Sequence, residues 1–268
     1  MPKIKANDIT LYYELHGADH AETLILINGV GQWREAWWRN VGPLSERFRV
    51  LTFDNRGVGD SDKPDIPYTL EMMADDTLGL MDALDIERAG VFGHSMGGGI
   101  AVFMARHAPE RITRLGLGST LYWGLRVAMP SPRAMQALQD RSGDPLELVK
   151  RGTRIATADR FETRDPEGFQ KLIDLRFRSQ QPPELYLRQS QSGLAYFAAD
   201  HITDMAPPMP VLLIVGEHDE VAPPANSYAI AEAWPDARVV EIAGAGHLFN
   251  IEKPDETNRV LIDFFSAS

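Results

Sequence analysis

The 268-residue chain contains no cysteine. Disulfides, thiolate nucleophiles and cysteine-held metals are excluded at once. Its seven histidines form no H-x-H or H-E-x-x-H cluster, so metal-dependent hydrolysis is disfavoured. No G-x-x-x-x-G-K-[ST] loop is present, which argues against nucleotide hydrolysis. No apolar run approaches the ~20 residues that span a bilayer. The stretch from Met1 to Asp8 lacks the apolar centre of a signal peptide, and a cytoplasmic protein is the expectation. Positive charge is also in short supply. Lys and Arg total 27 against 38 Asp and Glu, a net charge of −11, which argues against nucleic acid or an anionic membrane as partner.

What is present suits one large domain, or a core with an inserted subdomain, since 44% of the residues are hydrophobic. Leu24–Ile27 is a continuous apolar run, as expected of a strand buried on both faces of a parallel sheet. Val50–Asp54, Ala89–Phe92, Ile112–Leu117, Val211–Val215 and Val239–Ile242 read as further strands, and Ile9–Leu15 alternates as an edge hairpin strand does. Thr69–Leu84 reads as an amphipathic helix with Thr69 as N-cap. Pro223–Trp234 and Pro254–Phe265 suit helices with proline at their starts. Trp33 and Trp37, four apart on an expected helix, share a face. Between Leu121 and about Ala206 the strand rhythm stops, and helical segments appear near Pro132–Gln139, Pro145–Ala156, Pro166–Phe177 and Glu184–Phe197.

One stretch carries chemistry. Ala89–Phe92 runs into Gly93-His94-Ser95-Met96-Gly97 and then into a small-residue helix, giving strand, sharp turn, helix. This is the G-x-S-x-G pattern of a nucleophile elbow, where a side chain at either glycine would collide with neighbouring backbone. An acid and then a histidine must follow, each after a later strand. Val211–Val215 leads to Asp219, and Val239–Ile242 leads through Gly244-Ala245-Gly246 to His247. Glu217 comes two residues too early, and His94 and His218, each beside a site residue, should point elsewhere.

On these motifs the chain resembles the α/β-hydrolase superfamily from about Ile9 to its C-terminus, apart from a variable middle. It is most similar to small esterases and lactonases typified by 3-oxoadipate enol-lactonase, and to acyl-homoserine lactone hydrolases of this fold. The resemblance implies an α/β fold with a mostly parallel central sheet and helices on both faces. It implies a core of residues 1–120 and 207–268 and a four-helix cap, 121–206, inserted between strands 6 and 7. Ser95 would be the nucleophile, His247 the base, Asp219 its orienting acid, and the backbone N–H groups of Val30 and Met96 the oxyanion hole. Asn28-Gly29 stands where many relatives have His-Gly. Asp54-Asn55-Arg56-Gly57-Val58-Gly59-Asp60-Ser61 resembles the family's D-x-R-G-x-G-x-S segment, and Asp54 and Arg56 read as an ion-paired brace for the elbow. Tyr122, Trp123, Met129, Tyr196, Phe197 and Leu248 are candidate substrate contacts, with Phe161 and Phe177 also on the cap, and together they favour an apolar acyl or ring substrate. No cofactor and no metal are implied. The expected activity is cofactor-free hydrolysis of a small-molecule carboxylic ester or lactone, acyl-homoserine lactone among them, through an acyl-enzyme. C–C bond hydrolysis, aminopeptidase action and a slow-turnover ligand receptor stay open as alternatives. A serine at the elbow argues against dehalogenase or epoxide hydrolase chemistry, which uses aspartate there.

Overall fold

The computed structural model describes residues 2–17, 19–140, 142–158, 160–179, 181–193, 196 and 200–267. Within them one eight-stranded sheet runs through the molecule in the order β1-β2-β4-β3-β5-β6-β7-β8. The strands are β1 (Lys3–Ala6), β2 (Ile9–His16), β3 (Thr23–Ile27), β4 (Arg49–Phe53), β5 (Ala89–His94), β6 (Ile112–Gly118), β7 (Val211–Gly216) and β8 (Arg238–Ile242). β1 pairs antiparallel with β2, and β2 with β4; every pairing from β4 to β8 is parallel. The expected edge strand, Ile9–Leu15, thus lies one place in from the edge, which β1 occupies. Lys3-Ile4-Lys5-Ala6 is too short and too charged to announce itself as a strand, and lysine on an edge discourages further pairing.

Successive residues of β3 feed opposite layers, as the two-residue period of a strand requires. Ile25 and Ile27 pack with α2 (Leu70–Ala83) and α3 (Met96–His107), whereas Leu24 and Leu26 pack with α1 (Val41–Ser45) and α11 (Pro254–Phe265). Each residue of β3, β5 and β7 is buried, which is why these segments read as unbroken apolar runs. α2 begins where expected: Thr69 Oγ1 accepts from Met72 N–H at 3.1 Å.

Between β6 and β7 lies the helical cap, with α4 (Pro132–Gln139), α5 (Pro145–Ala156), α6 (Phe161–Arg164), α7 (Pro166–Arg178) and α8 (Pro183–Gln191). Among the described residues five helices stand where four are expected, because α6 is a single turn with no readable period. Val149, Phe161, Phe169, Leu172 and Ile173 form the cap's own small core, joined by Leu248 and Ile251 from below. After β7 come α9 (Ala225–Ala233) and, after β8, α10 (Phe249–Glu252) ahead of α11. Among the described residues no helix is long and apolar enough to cross a membrane.

Candidate active site

Ser95 joins β5 to α3 with φ 57° and ψ −120°. Such a conformation in a non-glycine residue costs of order 1–3 kcal/mol and persists only when its surroundings fix it. Here Ser95 N–H donates to Gly118 O at 2.8 Å, and Thr120 Oγ1 donates to Ser95 O at 2.9 Å. The glycines flanking the turn are obligatory. A Cβ on Gly93 would sit 2.1 Å from Gly97 O, and one on Gly97 would sit 2.3 Å from Ile27 O. The result is that Ser95 alone, from Ala89 through Ala105, is not fully buried.

Asp219 follows β7 and His247 follows β8, at the same C-terminal edge of the sheet as Ser95. His247 Nδ1–H donates to Asp219 Oδ2 at 2.9 Å, with Oδ1 at 3.1 Å. Asp219 Oδ1 also accepts from the N–H groups of Val221 and Ala222, both at 2.8 Å, so the carboxylate is fixed before it meets the imidazole. A proton held on Nδ1 leaves Nε2 as a free base. Among the described residues the Ser95 hydroxyl is itself without a hydrogen bond; such contacts often tighten only when substrate arrives.

The neighbouring residues fill the supporting roles. His94 is fully buried, and its Nε2–H donates to His247 O at 2.8 Å. Burial, reinforced by the adjacent His247, pulls the His94 pKa down to about 3, so this ring is a neutral strut. Glu217 accepts from Gly244 N–H at 2.8 Å and supports the turn ahead of His247. His218 is exposed beside Glu217. Asp54 and Arg56 are ion-paired, though with other partners than each other: Asp54 with Arg34 at 2.6 Å, Arg56 with Asp76 at 2.6 and 2.7 Å.

The loop after β3 presses on the elbow. A Cβ on Gly29 would stand 3.0 Å from Ser95 Cβ, so Val30 follows directly at the serine. Met96 is the first residue of α3, and its N–H has no acceptor within that helix. Among the described residues the buried Asn28 has no partner for either polar side-chain atom, while its backbone oxygen accepts from Asn55 Nδ2 at 3.1 Å.

The expected substrate contacts separate. Tyr122 is wholly buried and its hydroxyl donates to Asp200 at 2.8 Å. Trp123 packs on α3 and donates from Nε1 to Thr120 Oγ1 at 3.2 Å, and Tyr196 packs against Phe103 with ring centroids 4.5 Å apart and planes tilted by 52°. These three belong to the core cluster. Met129 and Phe177 are turned to solvent, at 51% and 45% exposure, and Phe161 is a cap-core residue. Phe197 lies outside the described residues. Leu248 is buried beside His247 against the cap, and its N–H donates to Ala156 O at 2.8 Å.

One residue of the site had no signal in the sequence. Glu252, on α10, has a buried carboxylate that accepts from Gly246 N–H at 2.8 Å and from the cap's Ala158 N–H at 3.0 Å. Burial pushes its pKa up, against the pull of these two donors. It pins the residue before His247 to the cap. Only its spacing after His247 could have drawn attention to it. Among the described residues no group of three or more His, Cys, Asp or Glu could hold a metal ion.

The arrangement offers a half-exposed hydroxyl on a strained turn, a buried imidazole oriented by a carboxylate, and backbone N–H groups at a helix start and an adjacent loop. The chain is similar to known proteins. RutD of Azorhizobium caulinodans, provisionally named a carbamate hydrolase, is 27% identical over 98% of both chains. The enol-lactonase from Burkholderia xenovorans LB400 is 31% identical, covers 99% of this chain and 100% of its own, and superposes with a TM-score of 0.85. Est816, described as an N-acyl homoserine lactone degrading enzyme, is 26% identical over 98% of this chain and 100% of its own, with a TM-score of 0.82. The family model for the alpha/beta hydrolase fold matches residues 22–254, and the chain belongs to that family.

Proposed function

We propose that the protein is a serine hydrolase of carboxylic esters or lactones that works through an acyl-enzyme on Ser95. The observation that carries this reading is the Asp219–His247 hydrogen bond at the sheet edge where the Ser95 turn is strained outward. Ser95 Oγ attacks the substrate carbonyl carbon while His247 Nε2 takes the hydroxyl proton. Charge moves to the carbonyl oxygen, which the N–H groups of Val30 and Met96 stabilise by ~3 kcal/mol per donor. The acyl–oxygen bond then breaks, and His247 returns the proton to the leaving alkoxide. In a lactone that alkoxide stays attached to the acyl group. Water, deprotonated by His247, attacks the ester on Ser95 and restores the free enzyme.

The chemistry sits in the core, residues 1–120 and 207–268, and the cap, 121–206, closes over the acyl group. An enol-lactonase catalyses acyl transfer from an oxygen leaving group, and N-acyl homoserine lactone, which the other relative degrades, contains a lactone; both names support this class. A p-nitrophenyl ester series and an acyl-homoserine lactone series, each run with Ser95→Ala alongside, test the reading. Multiple turnovers by the wild type and none by Ser95→Ala are expected, and the ratio between the series assigns esterase or lactonase. Stoichiometric product release from the wild type would favour a receptor instead.

A further inference from the structure

Two cap glutamines, Gln181 just ahead of α8 and Gln189 on it, are buried, and the chemistry above uses neither. Gln189 Oε1 accepts from Gly31 N–H at 2.9 Å, and its Nε2 donates to Arg56 O at 2.8 Å. Gln181 Nε2 donates to Gly57 O at 2.6 Å and reaches Gln189 Oε1 at 3.3 Å. One cap side chain therefore bridges the loops that follow β3 and β4. Its partner at Gly31 is 158 positions away in sequence.

The first of those loops needs such a hold. Asn28-Gly29-Val30-Gly31 contains two glycines and so loses more freedom than most loops when fixed. Gln32 N–H closes a turn on Gly29 O at 3.3 Å with Gly31 at φ 68°, the type II pattern. Type II differs from type I by the orientation of the central peptide, here the one joining Val30 to Gly31. Glycine at that position makes rotation easy. Gly31 N–H is the donor of that same peptide. On the core side the loop is held by Asn55 at Asn28 O; on the other side it is held by the cap.

We propose that Gln189 is a positioning residue for the oxyanion hole: by accepting from Gly31 N–H it anchors the turn whose first central residue is Val30, so that the backbone carrying the Val30 N–H is held in place only when the cap is docked. This rests on the assignment of Ser95 as nucleophile and Val30 as oxyanion donor. Cap docking and assembly of the site become one event, the arrangement by which closure commits a substrate to reaction.

The test combines steady-state hydrolysis of p-nitrophenyl butyrate with inhibition by an alkylboronic acid, which forms a tetrahedral adduct on a serine hydroxyl. Gln189→Leu is expected to lower kcat by about 10–100-fold with KM within ~3-fold, and to weaken the boronate by a similar factor. Its kcat–pH profile should stay that of the wild type, because His247 and Asp219 are untouched. Gln189→Glu keeps an acceptor for Gly31 and should recover most of the loss. Arg188→Leu is the control: it removes another α8-to-core contact, to Pro64 O and Asp65, without touching the turn, and should change kcat less than ~3-fold. Should Gln189→Leu not fold, Gln189→Met carries the same test. Wild-type kcat and boronate affinity in the Gln189 variants overturns the proposal. So does a loss confined to KM, an equal loss in Arg188→Leu, or a Gln189→Glu as impaired as the leucine variant. Activity in Ser95→Ala would overturn the nucleophile assignment instead, so the two failures are distinguishable.

Discussion

The sheet and the cap are held together by different physics. In β3, β5 and β7 each position is buried, and the ladder hydrogen bonds are made inside the layer that also excludes water. The cap's small apolar core is shared with Leu248 and Ile251 beneath it, and polar contacts also join cap to core, two sets of them forming seams close to the candidate site. One seam joins Ala156 and Ala158 to Leu248 and Glu252; the other joins Gln181 and Gln189 to Gly57, Arg56 and Gly31. On the proposed function, the buried layer carries the residues that must be placed to a fraction of an ångström, and polar seams, which water can replace at modest cost, suit a cap that admits substrate. Ser95, Asp219 and His247 all stand past strand ends of the layer; one seam ends at Leu248 and Glu252, just after His247, and the other at Gly31, two residues from Gly29, which lies against Ser95.

Substitutions sharpen this contrast. The largest effect belongs to Ser95→Ala, which should lower kcat/KM by ~10⁴-fold or more in ester hydrolysis while leaving the melting temperature near that of the wild type. Asp219→Asn should follow, with kcat down by ~10³–10⁴-fold, since an amide cannot hold the imidazole in the same tautomer. Turnover within tenfold of the wild type in either variant would break the assignment.

Two arginine–carboxylate pairs of like geometry then separate core from cap by stability. Arg56 and Asp76 meet at 2.6 and 2.7 Å and are both 2% exposed, whereas Arg154 and Glu162 meet at 2.8 and 2.9 Å with side chains 47% and 46% exposed. Arg56→Met strands a buried carboxylate and should cost ~3–5 kcal/mol in urea denaturation. Arg154→Met should cost under ~1 kcal/mol. Equal costs would mean that the buried pair is hydrated or that the cap pair is not.

The smallest effect is a pH slope. His94 is held neutral by burial, its pKa lowered from the ordinary 6.5 to about 3. Below pH 6.5 the unfolded chain takes up a proton that the folded chain refuses. Its contribution is therefore intact above pH 6.5 and is lost as the pH falls towards 3, by at most about 1.4 kcal/mol per pH unit. His94→Gln should flatten the stability–pH curve in that window by this amount, measured by denaturation at pH 7, 6 and 5. An unchanged slope would show that another group governs it.

What was legible in the sequence follows the same division. Ser95, Asp219 and His247 drew attention because each follows an apolar run, with Gly93 and Gly97 about Ser95 and Gly244 and Gly246 ahead of His247, and the structure puts all three at the same edge of the sheet. The helices α4, α5 and α7 could be read from proline starts and amphipathic period. β1 was hidden by its two lysines and α6 by its single turn. Tyr122, Trp123 and Tyr196 were expected on the pocket side, yet they pack into the core, because an aromatic side chain satisfies either role and sequence does not record direction. Gln181, Gln189 and Glu252 gave no signal, since a glutamine or glutamate acquires its meaning from a partner that tertiary structure brings from far along the chain.

The most direct measurement is the mass of the intact protein after rapid acid quench during turnover of a p-nitrophenyl ester, followed by peptide mapping. The expected result is a stable increment equal to the acyl group on the peptide containing Ser95, absent from Ser95→Ala. Rapid turnover with no adduct at any quench time, or an adduct on a residue other than Ser95, would contradict an acyl-enzyme at this serine.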